Sequence, residues 1–111
     1  MRGTVWGYNI ERARSKFLDI VEQYKMIGIQ PTKVVNSKYN VWAEFENGDR
    51  WNAVNASERQ RGQKSSIAYI DTEIDKEIID CIILPTTFAP PYNAIRYYWV
   101  EKDDEIETKL I

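Results

Sequence analysis

The side chains best suited to chemistry are the carboxylates that follow a short apolar run, IAYI, at positions 67–70. Asp71 comes directly after this run, and Glu73 and Asp75 follow at two-residue intervals. A buried strand that ends on an acidic residue and leads into a helix is a common arrangement at α/β sites. Carboxylate oxygens are hard ligands, so Asp71 and Glu73 are candidate ligands for a divalent cation such as Mg²⁺.

The same carboxylates also have a structural interpretation. Asp71 or Asp75 could cap the helix that follows, and Glu73 or Glu77 would favour the positive N-terminal end of its dipole. Helix capping is the commoner use of acidic residues in such a position, so the sequence favours it over metal binding.

The content of histidine and cysteine limits the remaining chemistry. The chain has no histidine, which excludes Ser/His and Cys/His nucleophiles and every His-ligated metal centre. The single cysteine, Cys81, cannot form an internal disulfide, as is typical of a reducing cytosol. Cys81 falls at the edge of a helical apolar pattern, which predicts a buried, inert thiol.

Length and composition predict one soluble globular domain over residues 1–111. The chain is 43% apolar and 29% charged. Its apolar runs are too short to span a membrane, and its first residues lack the apolar core of a secretion signal. We therefore expect a cytoplasmic protein without a membrane partner.

The first half of the chain predicts a strand, a helix and a hairpin. Thr4–Tyr8 is rich in β-branched and aromatic residues. A helix over 10–27 is predicted by Asn9 as N-cap, by Gly28 as its stop and by one apolar face. The apolar residues of that face are Ile10, Ala13, Phe17, Ile20, Val21, Tyr24 and Ile27.

A short strand at 33–35 could precede the hairpin. The hairpin strands, 41–46 and 49–56, flank Asn47-Gly48, a strong turn signal. Two registers stay open: one sets Glu46 opposite Asp49, and the other sets Phe45 opposite Trp51.

The second half predicts a strand at 66–71, a helix over about 74–84 that stops at Pro85, and a strand at 95–100. The acidic tail, 101–111, is either flexible or docked through Ile106, Leu110 and Ile111. The expected fold is therefore α/β or α+β, a mixed sheet of about five strands with an antiparallel hairpin, covered by two main helices.

A polar loop before the acidic strand is a candidate nucleic-acid site. Arg59, Arg61 and Lys64 could contact phosphates, with Trp42, Trp51 and the tyrosines available to stack on bases. Residues 1–64 contain 11 Lys/Arg and 7 Asp/Glu, whereas residues 65–111 contain 4 and 10. The alternative is a solvated turn, and a pI near 5.2 opposes strong nucleic-acid affinity.

The aromatic residues near the C-terminus are a candidate interface. On a strand, Tyr97 and Trp99 share one face and Tyr98 points to the other. One face must be core, while the second, together with Tyr92, could bind a protein partner or a second copy.

In this order, the motifs resemble those of the ATPase domain of bacteriophage terminase large subunits. The similarity covers about residues 41–91 and includes a hairpin turn, an Arg-Gly pair, a Walker B-like strand and the helix that follows. These motifs are Phe45-Glu46-Asn47-Gly48, Arg61-Gly62, Ile67-Ala68-Tyr69-Ile70-Asp71 and Asp75–Pro85. The resemblance implies a phage or prophage origin.

The departures from that family concern its catalytic parts. The sequence has no Gly-x-x-x-x-Gly-Lys-Ser/Thr phosphate loop, which supplies most of the nucleotide affinity. Thr72 stands where the family has its catalytic Glu, and Glu73 comes one residue later. We therefore expect a non-enzymatic accessory protein without a cofactor, which acts through contacts with a partner protein or as a homo-oligomer. Nucleic-acid binding through residues 59–64 is the alternative function. Mg²⁺ is the only cofactor that remains possible, bound by the acidic residues that follow the strand.

Overall fold

One mixed β-sheet forms the centre of the fold. The computed structural model describes residues 1–38, 40–56, 66–87, 95–102 and 105–110. The strands are β1 (Arg2–Gly7), β2 (Pro31–Asn36), β3 (Val41–Phe45), β4 (Arg50–Asn55), β5 (Ile67–Asp71), β6 (Ile95–Lys102) and β7 (Glu105–Leu110). They lie in the order β2-β3-β4-β1-β5-β6-β7. The predicted class is confirmed. β2 contains the short strand that could form at 33–35, and β7 extends the sheet further.

The middle of the sheet is parallel. β1 pairs in parallel with β4 on one side and with β5 on the other, and β5 pairs in parallel with β6. β3 runs antiparallel to β4, and β7 runs antiparallel to β6. The carboxyl ends of β1, β4, β5 and β6 therefore meet at one edge of the sheet, and their amino ends meet at the opposite edge.

Helix α1 (Ile10–Met26) follows β1 and confirms the predicted helix. The Asn9 side chain accepts a hydrogen bond from the backbone N–H of Arg12 at 2.9 Å, which satisfies one of the free donors at the helix start. Gly28 ends the helix with φ of +87°, a conformation that favours glycine.

The second helical segment differs from its prediction. It runs without a break through α2 (Lys76–Ile78), a π-helical turn (Ile79–Ile83) and α3 (Leu84–Thr87). Pro85 therefore lies inside the segment and does not end it. The Leu84 N–H bonds to the Ile79 carbonyl, so the wide turn comes directly before the proline. Such a widened turn accommodates a residue that lacks an N–H.

The predicted burial of Cys81 is wrong. Its side chain is exposed, whereas Ile79, Ile82 and Ile83 are buried. These three isoleucines face the sheet, which leaves the intervening cysteine on the outer side of the segment.

The hairpin adopts neither of the two registers considered. Glu44 lies opposite Arg50, and Ala43 lies opposite Trp51. The loop is one residue longer than Asn47-Gly48, and Gly48 adopts φ of +93°, as in three-residue hairpin loops. This register keeps the apolar residues of both strands on one face and places opposite charges across the pair, with Arg50 and Glu44 3.1 Å apart.

Two hydrophobic clusters cover opposite faces of the sheet. Helix α1 packs on β1 and β4 over the larger cluster, which contains Phe17, Val5 and Trp51. The smaller cluster joins Trp6 and Ile70 of the sheet to isoleucines of the second helical segment. The two helical regions therefore lie on the two faces of the sheet, as in doubly wound α/β folds.

The tail docks onto the sheet. Of the two alternatives for residues 101–111, the structure shows pairing, because β7 forms a regular antiparallel ladder with β6 from Glu105 to Leu110. Within the described ranges, none of the helices has the length and apolarity needed to cross a bilayer.

Candidate functional site

Asp71 belongs to one of two neighbouring strands whose following connections run to opposite sides of the sheet. It ends β5, the neighbour of β1, and the connection after β1 leads to β2 while the connection after β5 leads to β6. Ligands of open α/β sheets bind in the crevice beyond the carboxyl ends of two such strands. The interior position of β5 therefore places the acidic residue where a site is expected.

The chain turns tightly from β1 into α1 beside this position. A Cβ atom added to Gly7 would lie 2.6 Å from the backbone oxygen of Asn9 and from the backbone nitrogen of Ala13. Only glycine allows so close a reversal. It brings the Tyr8 N–H and the first turn of α1 against the end of β5.

The carboxylate of Asp71 is held by four hydrogen bonds. Its Oδ2 accepts from the Tyr8 N–H at 2.9 Å and from Arg12 Nε at 2.5 Å. Its Oδ1 accepts from Arg12 Nη2 at 2.7 Å and from the Glu73 N–H at 3.0 Å. The side chain of Asp71 is 0% exposed. Both oxygens are thus fully used by the protein itself.

The surroundings keep Asp71 ionised. Burial alone would raise the pKa of this carboxyl group, but the hydrogen bonds from Arg12, Tyr8 and Glu73 and the charge of Arg12 outweigh burial and lower the pKa below its ordinary value. The arrangement is that of a structural ion pair that fastens α1 to β5.

The predicted cation ligands do not converge. Glu73 is exposed and contributes its backbone N–H, not its carboxylate, to Asp71. Asp75 is the residue before α2, but its side chain makes no capping hydrogen bond. In the described ranges, no group of three His, Cys, Asp or Glu residues is arranged to hold a metal ion. Asp71 is therefore neither capping a helix nor grouped with further ligands, and sequence reasoning missed its actual partner, Arg12.

Part of the other predicted sites lies outside the described residues. This is the case for Arg59, Arg61 and Lys64 of the polar loop and for Tyr92. Of the two tryptophans proposed to stack on bases, Trp51 is buried in the larger cluster and Trp42 is half-buried.

The three aromatic residues of β6 have different environments. Trp99 is 1% exposed and belongs to the core, so its ring is not available at a surface. Tyr98 is half-buried against the smaller cluster. Tyr97 is also half-buried and stacks on Tyr69, with ring centroids 4.9 Å apart.

A pocket that sequence reasoning missed lies at the amino edge of the sheet. Its volume is about 270 Å³. It is lined by Met1, Ile20, Gln23, Tyr24, Ile27, Trp51, Ile67 and Tyr69. The walls are mostly apolar, and the hydroxyl of Tyr24 accepts from Trp51 Nε1 at 2.9 Å and donates to Asp49 at 2.7 Å. These two hydrogen bonds hold the Tyr24 ring in place in the wall of the pocket.

Exposed apolar side chains lie on or beside the chain segments that line this pocket. Met26 is 84% exposed and Ile27 is 73% exposed, although the helical pattern placed Ile27 on the buried face of α1. Met1 and Ile95 are 46% and 47% exposed, and Ile95 lies beside the half-buried Ile67 in the sheet register. We call these five residues (Met1, Met26, Ile27, Ile67 and Ile95) the amino-edge surface. The only sequence signal for it is the Met-Ile pair at the end of α1, before Gly28.

Comparison of the chain with protein-family models, with curated proteins and with solved structures finds no match.

Proposed function

We propose that this chain is a non-enzymatic protein-binding module of the cytoplasm that acts as a homodimer through its amino-edge surface. The single observation behind this proposal is the exposure of Met26 and Ile27 at the end of α1, where Ile27 also lines an apolar pocket. Large apolar groups grouped at one place on a small domain mark an interaction surface.

Burial of this surface would be favourable. Removing a side chain such as Met or Ile from water contributes roughly 1.5–3 kcal/mol. Met26 and Ile27 are the two most exposed of the large apolar side chains in the described residues, so most of that free energy is still available to an association. The methionine is also flexible and adapts to an irregular cavity.

A second copy is the partner that the shape of the surface favours. The same surface contains both a protruding group, Met26, and a pocket formed by residues such as Tyr69 and Trp51. A twofold axis between two copies would place the protruding group of each against the pocket of the other. Such a self-complementary patch is the basis of the commonest homodimers.

The ion pair of Asp71 supports the non-enzymatic part of the proposal. A carboxylate whose lone pairs are occupied by Arg12 and two backbone N–H groups is not poised to bind Mg²⁺ or activate water. The sequence also lacks a phosphate loop. The proposed origin from a phage terminase-like ATPase domain is supported by the interior position of the acidic strand β5 beside β1.

Sedimentation velocity over a wide concentration range tests the proposal. We expect the wild-type protein to shift from monomer to dimer as its concentration rises. The double variant Met26→Lys, Ile27→Gln should stay monomeric. Both side chains are exposed at the end of α1, so circular dichroism should show that the variant remains folded.

Leu18→Gln is the matched control. Leu18 is also an exposed apolar residue of α1 but does not line the pocket, so this variant should dimerise like the wild type. A wild-type protein that sediments as a monomer at every concentration would refute the proposal. Equal loss of dimer in the Leu18 control would also refute it, because the association would then not depend on the amino-edge surface.

A further inference from the structure

Two cations lie over an indole ring on the face of the sheet opposite α1. Val41, Ala43 and Phe45 of β3 belong to the cluster under α1, so the alternate residue Trp42 points to the other face. There the Lys33 Nζ lies 5.3 Å from the Trp42 ring centroid, and the Arg50 Cζ lies 4.6 Å from it. The three residues form a row across β2, β3 and β4.

This row lies on an accessible part of the sheet. The second helical segment packs on Trp6, Ala68 and Ile70 of β1 and β5, on the far side of β4 from Trp42. Lys33 is exposed, and the Arg50 side chain is 38% exposed. The indole of Trp42 is half-buried.

The local charge is positive. Arg2 lies beside Arg50 in the register of β1 and β4, which adds a third cation on the same face. Glu44 is the acidic residue of this group and pairs with Arg50 at 3.1 Å. The row therefore has an excess of positive charge, although the whole chain has a net charge of −2.

We propose that this face, formed by Arg2, Lys33, Trp42 and Arg50, binds single-stranded nucleic acid. We call it the Trp42 face. It is separate from the amino-edge surface, and the inference is independent of the proposed dimer.

The physical basis is the pairing of cations with a planar ring on an accessible sheet. Single strands bind to grooves or sheets where Lys and Arg contact phosphates and aromatic rings stack with bases. Arg50 is held by Glu44 and by the indole, so its planar guanidinium is already ordered and can stack with a base or pair with a phosphate. The bases of a duplex are stacked on one another, so a duplex could bind this face only through contacts between its phosphates and the cations.

Fluorescence anisotropy with labelled oligo-dT and oligo-rU, measured over a salt series, tests the inference. We expect binding at low salt that weakens as salt rises. Lys33→Gln should lower the slope of log K against log salt by about 0.7, the value for one phosphate contact on a single strand. Trp42→Leu removes the ring that orders Arg50 and Lys33, so it should weaken binding roughly tenfold, the effect of losing one base stacked on the Arg50 guanidinium, with folding checked by circular dichroism.

Two further variants separate the site from general charge. Arg50→Lys keeps the charge but loses the planar group, so it should weaken binding while leaving the salt slope unchanged. Lys25→Gln makes the same charge change as Lys33→Gln near the end of α1, and it should leave both affinity and slope unchanged.

Three results would overturn the inference. The first is no detectable binding of either oligonucleotide at low salt. The second is an equal loss of affinity in Lys25→Gln and Lys33→Gln, which would indicate diffuse attraction. The third is binding of duplex DNA or inorganic polyphosphate as tight as that of oligo-dT, since base stacking at the Trp42–Arg50 pair would then contribute nothing.

Discussion

Arg12 and Asp71 lie 59 residues apart in the sequence and form a two-point ion pair, with Nε on Oδ2 and Nη2 on Oδ1. The pair joins the first turn of α1 to the carboxyl end of β5. It lies beyond the carboxyl ends of β1 and β5, the position where open α/β sheets bind ligands. The acidic residue at this position therefore joins two elements of the fold.

Breaking this pair should be costly. Asp71→Asn removes the buried negative charge that faces the guanidinium of Arg12. Loss of one member of a buried ion pair lowers the free energy of unfolding by about 3 kcal/mol or more. Arg12→Lys keeps the charge but not the two parallel hydrogen bonds, so we expect a smaller loss of about 1–2 kcal/mol. Urea unfolding at neutral pH measures both.

Lys25→Gln is the control for that experiment. Lys25 and Glu22 form an ion pair 3.4 Å apart on the exposed side of α1, and exposed pairs contribute about 0–1 kcal/mol. If Asp71→Asn costs no more than Lys25→Gln, the Arg12–Asp71 pair does not fasten the fold.

The stability of the protein should fall in acid. The pKa of Asp71 is lowered as described above. Burial would raise the pKa of Asp49, but hydrogen bonds from Tyr24, from Asn47 and from the N-terminal amino group lower it. A carboxyl group with a lowered pKa contributes stability that is fully present above its unfolded pKa, near 4, and is lost as the pH falls through the folded pKa.

A series of urea unfolding curves between neutral pH and pH about 2 checks this sign. We expect a nearly constant free energy of unfolding down to about pH 5 and a decline below about pH 4. Asp71→Asn should show a shallower decline, because one of the two linked carboxyl groups is gone. A decline of equal steepness in the variant would show that Asp71 titrates normally.

Magnesium and ATP should not bind at the end of β5. A ligand that binds only the folded state raises the melting temperature, and the rise grows with the ratio of ligand concentration to Kd. Because the oxygens of Asp71 are occupied and no phosphate loop is present in the sequence, millimolar Mg²⁺ with ATP should leave the melting temperature unchanged. A rise that is present in the wild type and absent in Asp71→Asn would contradict this prediction.

The hydroxyl of Tyr24 should stabilise the fold through its hydrogen bonds with Asp49 and Trp51. Burial and the hydrogen bond to Asp49 raise the pKa of Tyr24 to about 12, so the hydroxyl stays protonated at neutral pH. Tyr24→Phe removes the acceptor of the buried Trp51 Nε1 and the donor to Asp49, while keeping the ring stacked on Phe45. We expect a loss of about 1–3 kcal/mol in the free energy of unfolding.

Tyr8→Phe is its matched control, since the Tyr8 ring is mostly exposed. That variant should change stability by less than about 0.5 kcal/mol. Equal effects of the two substitutions would mean that the Tyr24 hydroxyl makes no specific contribution.

The sequence predicts those features of the fold that depend on local signals. Asn9 and Gly28 mark the two ends of α1 because capping and positive φ are requirements of single positions. Asn47-Gly48 predicts the hairpin turn for the same reason. It does not predict the register, because the register depends on the pairing of Glu44 with Arg50 and on which residues of β3 and β4 reach the core.

The candidate site could be predicted only in part. The run before Asp71 correctly indicated a buried strand with an acidic end, but nothing local specifies Arg12 as its partner, 59 residues earlier. The amino-edge surface depends on residues from four separate segments: the N-terminus, the end of α1, β5 and β6. Helical periodicity even assigned Ile27 to the core, because periodicity cannot show that the sheet ends beneath the last turn of α1.

One measurement tests the central proposal most directly. In a mixed sample of isotope-labelled and unlabelled protein, isotope-filtered NMR detects contacts between the two copies of a dimer. The proposal predicts intermolecular contacts from the Met26 methyl group of one copy to the rings of Tyr69 or Trp51 in the other. A dimer whose intermolecular contacts all lie away from the amino-edge surface would contradict it.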